Sequence, residues 1–281
     1  MTLAQAAAEV AARLAAAGLE RARSEAELIV AAATGRPREH LLLCPEAHLS
    51  QPERDRALAL AARRAAREPL AYVLGRAEFY SLDFAVGPAA IVPRPETEVL
   101  VEAVAERARA IGASLAVDVG TGCGVVAVAL ARELPGMRVV AVDVSLEAAR
   151  LAARNAARLG VTERVHVVCG DLLDPVGRPV DCVAANLPYV RAGEFAGLDP
   201  EVRCWEPRAA LDGGRDGLEV IRRLVVQLPA HLASGGFAAL EVGAGQGEEV
   251  SNALIRAGLA RVETIPDYAG VARVVIGWRE E

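Results

Sequence analysis

The stretch LAVDVGTGCGVVAVALA, Leu115 to Ala131, decides the fold. An apolar run enters a loop with glycine at 120, 122 and 124, and the loop opens a helix-forming segment. Glycines there let a ligand approach the backbone closely, beside the free N–H groups of a helix start. Three more apolar runs follow. RVVAVD ends in Asp143, about 20 residues past the loop, where a carboxylate accepts hydrogen bonds from ribose hydroxyls. RVHVVCGD places Asp171 at the end of a third strand, where an adenine would lie, and VDCVAAN ends a fourth at Asn186. Helical stretches separate the first three runs, and GGFAALEVG, LARVETI and VARVVIGW come after the fourth. This order predicts a mostly parallel sheet with helices on both faces and a late hairpin. A second loop, Glu241-Val-Gly243-Ala-Gly245-Gln-Gly247, repeats the pattern. Only two short strands remain after it, so it is expected to be structural.

Composition narrows the function. The chain has 281 residues, 53% hydrophobic and 24% charged, enough to bury a substantial core. A net charge of −6 argues against a broad nucleic-acid face, though not against a local basic patch. Cys44, Cys123, Cys169, Cys182 and Cys204 are dispersed without a C-x-x-C pair. That suits reduced thiols in a cytoplasmic protein better than a disulfide framework. The histidines are isolated, so no metal site is expected. The alanine-rich start is interrupted by Glu9, Arg13, Glu20 and Arg21, which fits neither a signal peptide nor a membrane span.

Three domains are expected. Residues 1–70 read as a small helical bundle, with Ser24 and Glu27 as a capping box and Ser50 as a cap. Whether it is a folding scaffold or docks a partner the sequence leaves open. Arg63, Arg64 and Arg67 read as a solvated helix face. Residues 71–92 read as a β-hairpin linker with turns near Ser81 and Gly87-Pro88. Residues 93–281 form the α/β domain, entered by the proline-led helix start of VPRPETEVLVEAV. His166 reads as a core residue and Asp216 as a helix cap.

The pattern D-x-G-x-G-x-G with an acid ending the next strand resembles class I S-adenosylmethionine-dependent methyltransferases. The resemblance implies a Rossmann-like, seven-strand sheet with an antiparallel last hairpin. It turns attention to Asn186-Leu187-Pro188-Tyr189, at the carboxyl edge of the fourth strand beside the expected cofactor. Asn and Pro are common in turns, but the chemistry also suits these residues. A planar amino group is a poor nucleophile because its lone pair is delocalised. The side-chain oxygen of Asn186 and the backbone carbonyl of residue 187 can accept both of its N–H groups and aim the lone pair at the methyl. The Tyr189 ring can pack on the planar group. The tetrad resembles the Asn-Pro-Pro-Tyr motif of methyltransferases that modify planar nitrogens, with Leu187 for the first proline. A main-chain acceptor survives that change, and Pro188 keeps Leu187 extended.

IVPRPETEVLVE, DVGTGCGVVAVALA, DVSLEAARLAARNA, the tetrad and EPRAALDGGRDGLEVIRRL occur in this order. Together they resemble the HemK/PrmC-type glutamine methyltransferases of peptide chain release factors, along nearly the whole chain. The resemblance implies N5-methylation of the glutamine in the Gly-Gly-Gln motif of class 1 release factors. It implies S-adenosyl-L-methionine bound by Gly120, Thr121, Gly122, Cys123, Gly124 and Asp143. Asp171 and Leu172 would flank the adenine, where relatives often carry an aromatic in place of Leu172. Asn186 would touch both donor and glutamine, with Leu187, Pro188 and Tyr189 completing the clamp. Cys123 reads as a small loop residue, not a nucleophile. Partners are then release factors, with no direct nucleic acid and no membrane. Rival readings are a ribosomal-protein glutamine methyltransferase, an adenine amino-group methyltransferase, a nicotinamide-binding oxidoreductase and a non-catalytic binding module. The adenine reading lacks a basic face or an inserted recognition segment. The oxidoreductase reading is disfavoured by glycine spacing and by the lack of a hydride-site constellation.

Overall fold

The structure is a computed structural model that describes residues 1–280. The chain divides into two compact units, residues 1–76 with 199–205, and residues 77–198 with 206–281.

The first unit is helical: α1 (Leu3–Ala16), α2 (Ala22–Thr34), α3 (Arg38–Leu43), α4 (Gln51–Ala65) and α5 (Leu70–Leu74). Leu3, Ala6, Val10 and Leu14 repeat at helical spacing and are buried. Capping boxes Thr2/Gln5 and Ser50/Glu53 start α1 and α4. Two expectations are corrected. Ser24 does not cap α2, which begins two residues earlier; its hydroxyl bonds back to the Arg21 carbonyl from inside the first turn. Arg63, Arg64 and Arg67 do not share one solvated face: Arg63 is exposed as expected, Arg64 is buried and Arg67 half-buried. Arg64 is buried between Glu25 and Glu201, Arg67 also holds Glu201, and Arg63 pairs with Glu68. Glu201 lies far along the chain, in the short helix Pro200–Trp205, so its pairing was invisible in local sequence.

The second unit opens with a two-stranded hairpin, β1 (Arg76–Phe79) and β2 (Leu82–Ala85). Tyr80 and Ser81 both take positive φ, as a two-residue hairpin turn requires. Next come α6 (Thr97–Ile111), β3 (Leu115–Val119), α7 (Val125–Glu133), β4 (Arg138–Asp143), α8 (Leu146–Arg158), β5 (Val165–Cys169) and β6 (Val180–Ala185). After the short helix α9 (Pro200–Trp205) of the first unit, the second unit resumes. It adds α10 (Glu219–His231), β7 (Leu232–Glu241), α11 (Gly247–Arg256), β8 (Ala260–Pro266) and β9 (Ala272–Trp278). Pro93 and Pro95 lie ahead of α6 in an irregular segment, so the helix starts at Thr97 rather than on a proline.

The expected seven-strand, mostly parallel sheet is present, in the order β5-β4-β3-β6-β7-β9-β8, with β9 antiparallel to both neighbours. β3 is buried throughout, the apolar run of a strand covered on both faces. α6, α7 and α8 pack together on one face; α10 and α11 pack on the other with Val117, Val119, Val183 and Leu240. The direction of winding reverses between β3 and β6, the place where open α/β sheets bind ligands. His166 is exposed on the edge strand β5, not in the core. Among the described residues no helix is long and apolar enough to cross a membrane.

Candidate active site

Strand register brings the sequence motifs to one edge. Val119 pairs with Ala185 and Val142, so the glycine loop emerges between Asn186 and Asp143. Asp143 pairs with Cys169, which sets Asp171 beyond it.

The loop has a built geometry. Gly120, Gly122 and Gly124 take φ of 73°, 57° and 87°. The N–H groups of Gly120 and Thr121 both donate to the Val142 carbonyl, at 2.8 and 2.9 Å. A Cβ on Gly124 would meet Ala152 of α8 at 3.1 Å, so the approach of loop to helix requires glycine. Glycine cannot cap α7 with a side chain, and Asp118 does that work from β3. Its Oδ2 accepts from the Ala127 N–H at 3.0 Å and from the Thr121 hydroxyl at 2.6 Å. Asn155, fully buried on α8, donates to the carbonyls of Cys123 (2.8 Å) and Ala85 (2.9 Å) and accepts from the Ala85 N–H. It fixes the far side of the loop. Asp118 was legible as part of a motif but not in this role; Asn155 gave no signal within its alanine-rich helix.

Asp143 holds the near side. Its two oxygens accept from the Gly122 and Ser145 N–H groups, each at 2.8 Å. Burial pushes its pKa up, and those two donors pull it back. Lone pairs remain for ligand hydroxyls. A cavity of about 410 Å³ opens here, lined by residues that include Gly120, Gly122, Asp143, Leu172, Asn186 and Pro207. Asp171, also in the lining, is ion-paired with Arg223. Leu172 takes positive φ with its side chain buried. Cys123 is buried and its thiol pushed up to about 12.

The tetrad forms the other wall. Asn186 Nδ2 donates to Thr97 Oγ1 at 3.0 Å, and among the described residues no donor reaches its Oδ1. Leu187 turns its side chain into the core, 4% exposed, against Gly120. This explains how leucine replaces proline: the side chain packs away, and no donor among the described residues takes its carbonyl. Tyr189 is braced by the second glycine loop. Gln246 Nε2 donates to its carbonyl at 3.0 Å, while Gln246 Oε1 accepts from the Gly243 N–H at 2.8 Å. Beyond Tyr189, the Val190 N–H donates to the Leu211 carbonyl and the Gly213 N–H returns to Val190. A Cβ on Gly217 would strike the Tyr189 carbonyl at 2.4 Å, so the Gly-rich block after Leu211 must stay small. Asp216 accepts from the Leu218 N–H and pairs with Arg222; it precedes α10 instead of capping its first turn.

Two segments ahead of these walls are tied together. Arg94 Nη2 lies 2.7 Å from both oxygens of Glu206, whose side chain is 1% exposed. Glu98 accepts from the Tyr80 N–H at 2.8 Å, holding the hairpin turn.

Two measurable consequences follow from burial. Asp118 and Glu241 both titrate at about 7, because burial strips water from their charged forms. Unfolded carboxylates titrate near ~4. Between those values the folded protein holds protons that the unfolded chain has lost. Their stabilisation is therefore full below about pH 4 and lost as pH rises through about 7. The urea midpoint is expected to fall from pH 5 to pH 8, less steeply in Asp118→Asn; a midpoint that rises over that range contradicts the assignment. Thiol titration should find Cys44, Cys169 and Cys204 reactive, with Cys123 and Cys182 silent until unfolding. Five thiols reacting at once in the native protein would contradict this.

Comparison with known proteins gives concordant results. The PrmC N-terminal domain family matches residues 5–75, and the methyltransferase small domain family matches residues 95–197. The release factor glutamine methyltransferase of Moorella thermoacetica is 44% identical over 283 residues, covering 100% of each chain. That of Geobacter sulfurreducens is 44% identical, covering 92% of this chain and 90% of its own. A T. thermophilus 16S rRNA methyltransferase in complex with AdoMet and guanosine shares the fold. It is 18% identical with a TM-score of 0.53, and the match covers 73% of this chain and 50% of that one.

Proposed function

The chain belongs to the release factor glutamine methyltransferase family, and on that premise we propose how its residues perform the reaction. The protein is an S-adenosylmethionine-dependent enzyme that methylates the side-chain amide nitrogen of a release-factor glutamine. Its target is the glutamine of the Gly-Gly-Gln motif of class 1 release factors, met in the cytoplasm as a protein substrate without direct nucleic-acid or membrane contact. S-Adenosylmethionine, when bound, supplies an electrophilic methyl on a good leaving group.

The site fits that donor. The glycine loop gives close backbone approach, Asp143 offers lone pairs for ribose hydroxyls, and Asp171 and Leu172 flank the adenine end. Gly120, Thr121, Gly122, Cys123 and Gly124 form the floor. Residues 1–70 serve as a partner-docking bundle, 71–92 as linker and 93–281 as the methyltransferase domain. Asn186 Oδ1 and the Leu187 carbonyl accept the two N–H groups of the substrate amide, and Pro188 and Tyr189 hold its plane. Acceptance of both protons draws the nitrogen lone pair out of conjugation and toward the methyl. The enzyme thus works by alignment. The extra proton leaves the nitrogen after transfer, and no strong base is required.

The observation that carries this reading is the Asn186 amide. Its nitrogen is engaged by Thr97, which leaves the oxygen as an acceptor beside the cavity. Methyl transfer from labelled donor should reach an intact class 1 release factor and spare ribosomal proteins, DNA and RNA. Label on a ribosomal protein or a nucleic acid instead would replace this reading with its rivals.

A further inference from the structure

The two glycine loops carry an acid at the same position, and the two acids do different work. Asp118 serves its own loop and helix, through Thr121 and Ala127. In the second loop Gln246 takes over that bracing, and Glu241 has no part in it. Glu241 is 1% exposed, and among the described residues neither carboxylate oxygen closes a hydrogen bond. A buried carboxylate in that condition is costly to fold.

Strand register shows what it faces. Ala185 pairs with Leu240, so Asn186 and Glu241 leave parallel neighbours side by side. Thr97, 3% exposed at the start of α6, joins them. Its hydroxyl accepts from Asn186 Nδ2 and is the one side-chain donor that acts on Glu241 and lowers its pKa, short of full hydrogen-bond geometry. The other ionisable groups around Glu241 are Arg273 of β9, Arg94 and Glu96 of the segment before α6, and Tyr189.

An asparagine amide has one accepting and one donating end. The reaction needs the accepting end toward the substrate. A threonine hydroxyl can donate to Oδ1 as readily as it accepts from Nδ2, so Asn186 and Thr97 alone do not fix the choice. We propose that Glu241 fixes it: as sole acceptor for the Thr97 hydroxyl proton, it obliges Thr97 to receive Asn186 Nδ2 and leaves Oδ1 for the substrate. Thr97 and Glu241 are then positioning residues. This deepens the glutamine-methylation reading and rests on it for the identity of the substrate.

The chain has three asparagines, Asn155, Asn186 and Asn252, so selective 15N-asparagine labelling of the full protein resolves their side-chain amides. Amide exchange with water, single-turnover methyl transfer to release factor, cofactor affinity and melting are compared in the wild type, Thr97→Ser, Thr97→Val and Glu241→Gln. Asn186 protons should exchange at least about tenfold more slowly than those of exposed Asn252. Thr97→Val should lose that protection and slow transfer roughly 10–100-fold with little change in cofactor affinity, while Thr97→Ser stays within about threefold. Glu241→Gln should slow transfer about tenfold or more, because a neutral amide can donate to Thr97 and invert the chain. It should also melt higher at pH 8, since it removes a buried charge. A purely structural role would move rate and stability together. An unprotected Asn186 amide in the wild type, equal rates for Thr97→Val and Thr97→Ser, or an unchanged rate in Glu241→Gln would overturn the proposal. The exchange and melting measurements need no methyl acceptor. A wild type that leaves release factors unmethylated would therefore fail the functional reading while amide protection still decides this one.

Discussion

Asn186→Ala should lower single-turnover methyl transfer about a thousandfold while changing cofactor affinity by no more than about threefold. In the proposed reaction Asn186 is the one side chain of the tetrad that offers a polar acceptor to the substrate nitrogen. Its removal leaves the Leu187 carbonyl as a single acceptor, and one acceptor cannot hold both N–H groups of an amide. The glutamine can still enter, but its lone pair stays conjugated with its own carbonyl. The cofactor loses little, because Gly122, Asp143 and their backbone partners lie on the other wall. Transfer kinetics with isothermal titration of the donor check both halves. A loss of cofactor binding equal to the loss of rate would mean that Asn186 acts on the donor rather than on the amide.

Arg94→Ala should damage stability and cofactor affinity together. The Arg94–Glu206 pair ties the segment before α6 to the one after α9, and Ile91 and Pro207 of these segments both line the cavity where the cofactor is proposed to bind. Burial drives the Glu206 pKa up; the Arg94 guanidinium and the Val92 N–H oppose it. Without Arg94 the carboxylate is left buried and unpaired, a cost of about 2–4 kcal/mol and a fall in melting temperature of roughly 5–10 °C. The two segments also come apart, and cofactor affinity should fall about tenfold. The double variant Arg94→Ala with Glu206→Gln removes the stranded charge. It should regain much of the stability and little of the affinity. If affinity returns with stability, the pair supports the fold and does not hold the cavity.

What the sequence could show depended on how local the cause was. The parallel sheet was legible because β3, β4 and β6 carry apolar runs buried along most of their length, which is what double burial demands. The glycine loop and Asn186 were legible because their spacing is set by the strand–loop–helix geometry itself. The partners of these residues were not. Thr97 lies 89 positions from Asn186, and Arg94 lies 112 from Glu206. Sequence reading saw Arg94 as part of a proline-led helix start, and the contact with Glu206 shows what it holds. His166 misled because a strand at the sheet edge has the same apolar pattern as one inside it, while its neighbour on one side is solvent. Ser24 misled because a capping-box pattern does not specify where the preceding turn ends.

Alignment of a glutamine amide nitrogen by Asn186 can be read out by incubating the protein with S-adenosylmethionine and an intact class 1 release factor, then locating the added mass by fragmentation mass spectrometry. One methyl on the side-chain nitrogen of the Gly-Gly-Gln glutamine is expected. It should be absent with the Asn186→Ala enzyme and absent when that glutamine is replaced. Methyl on any other residue, or undiminished methylation by Asn186→Ala, would contradict the account.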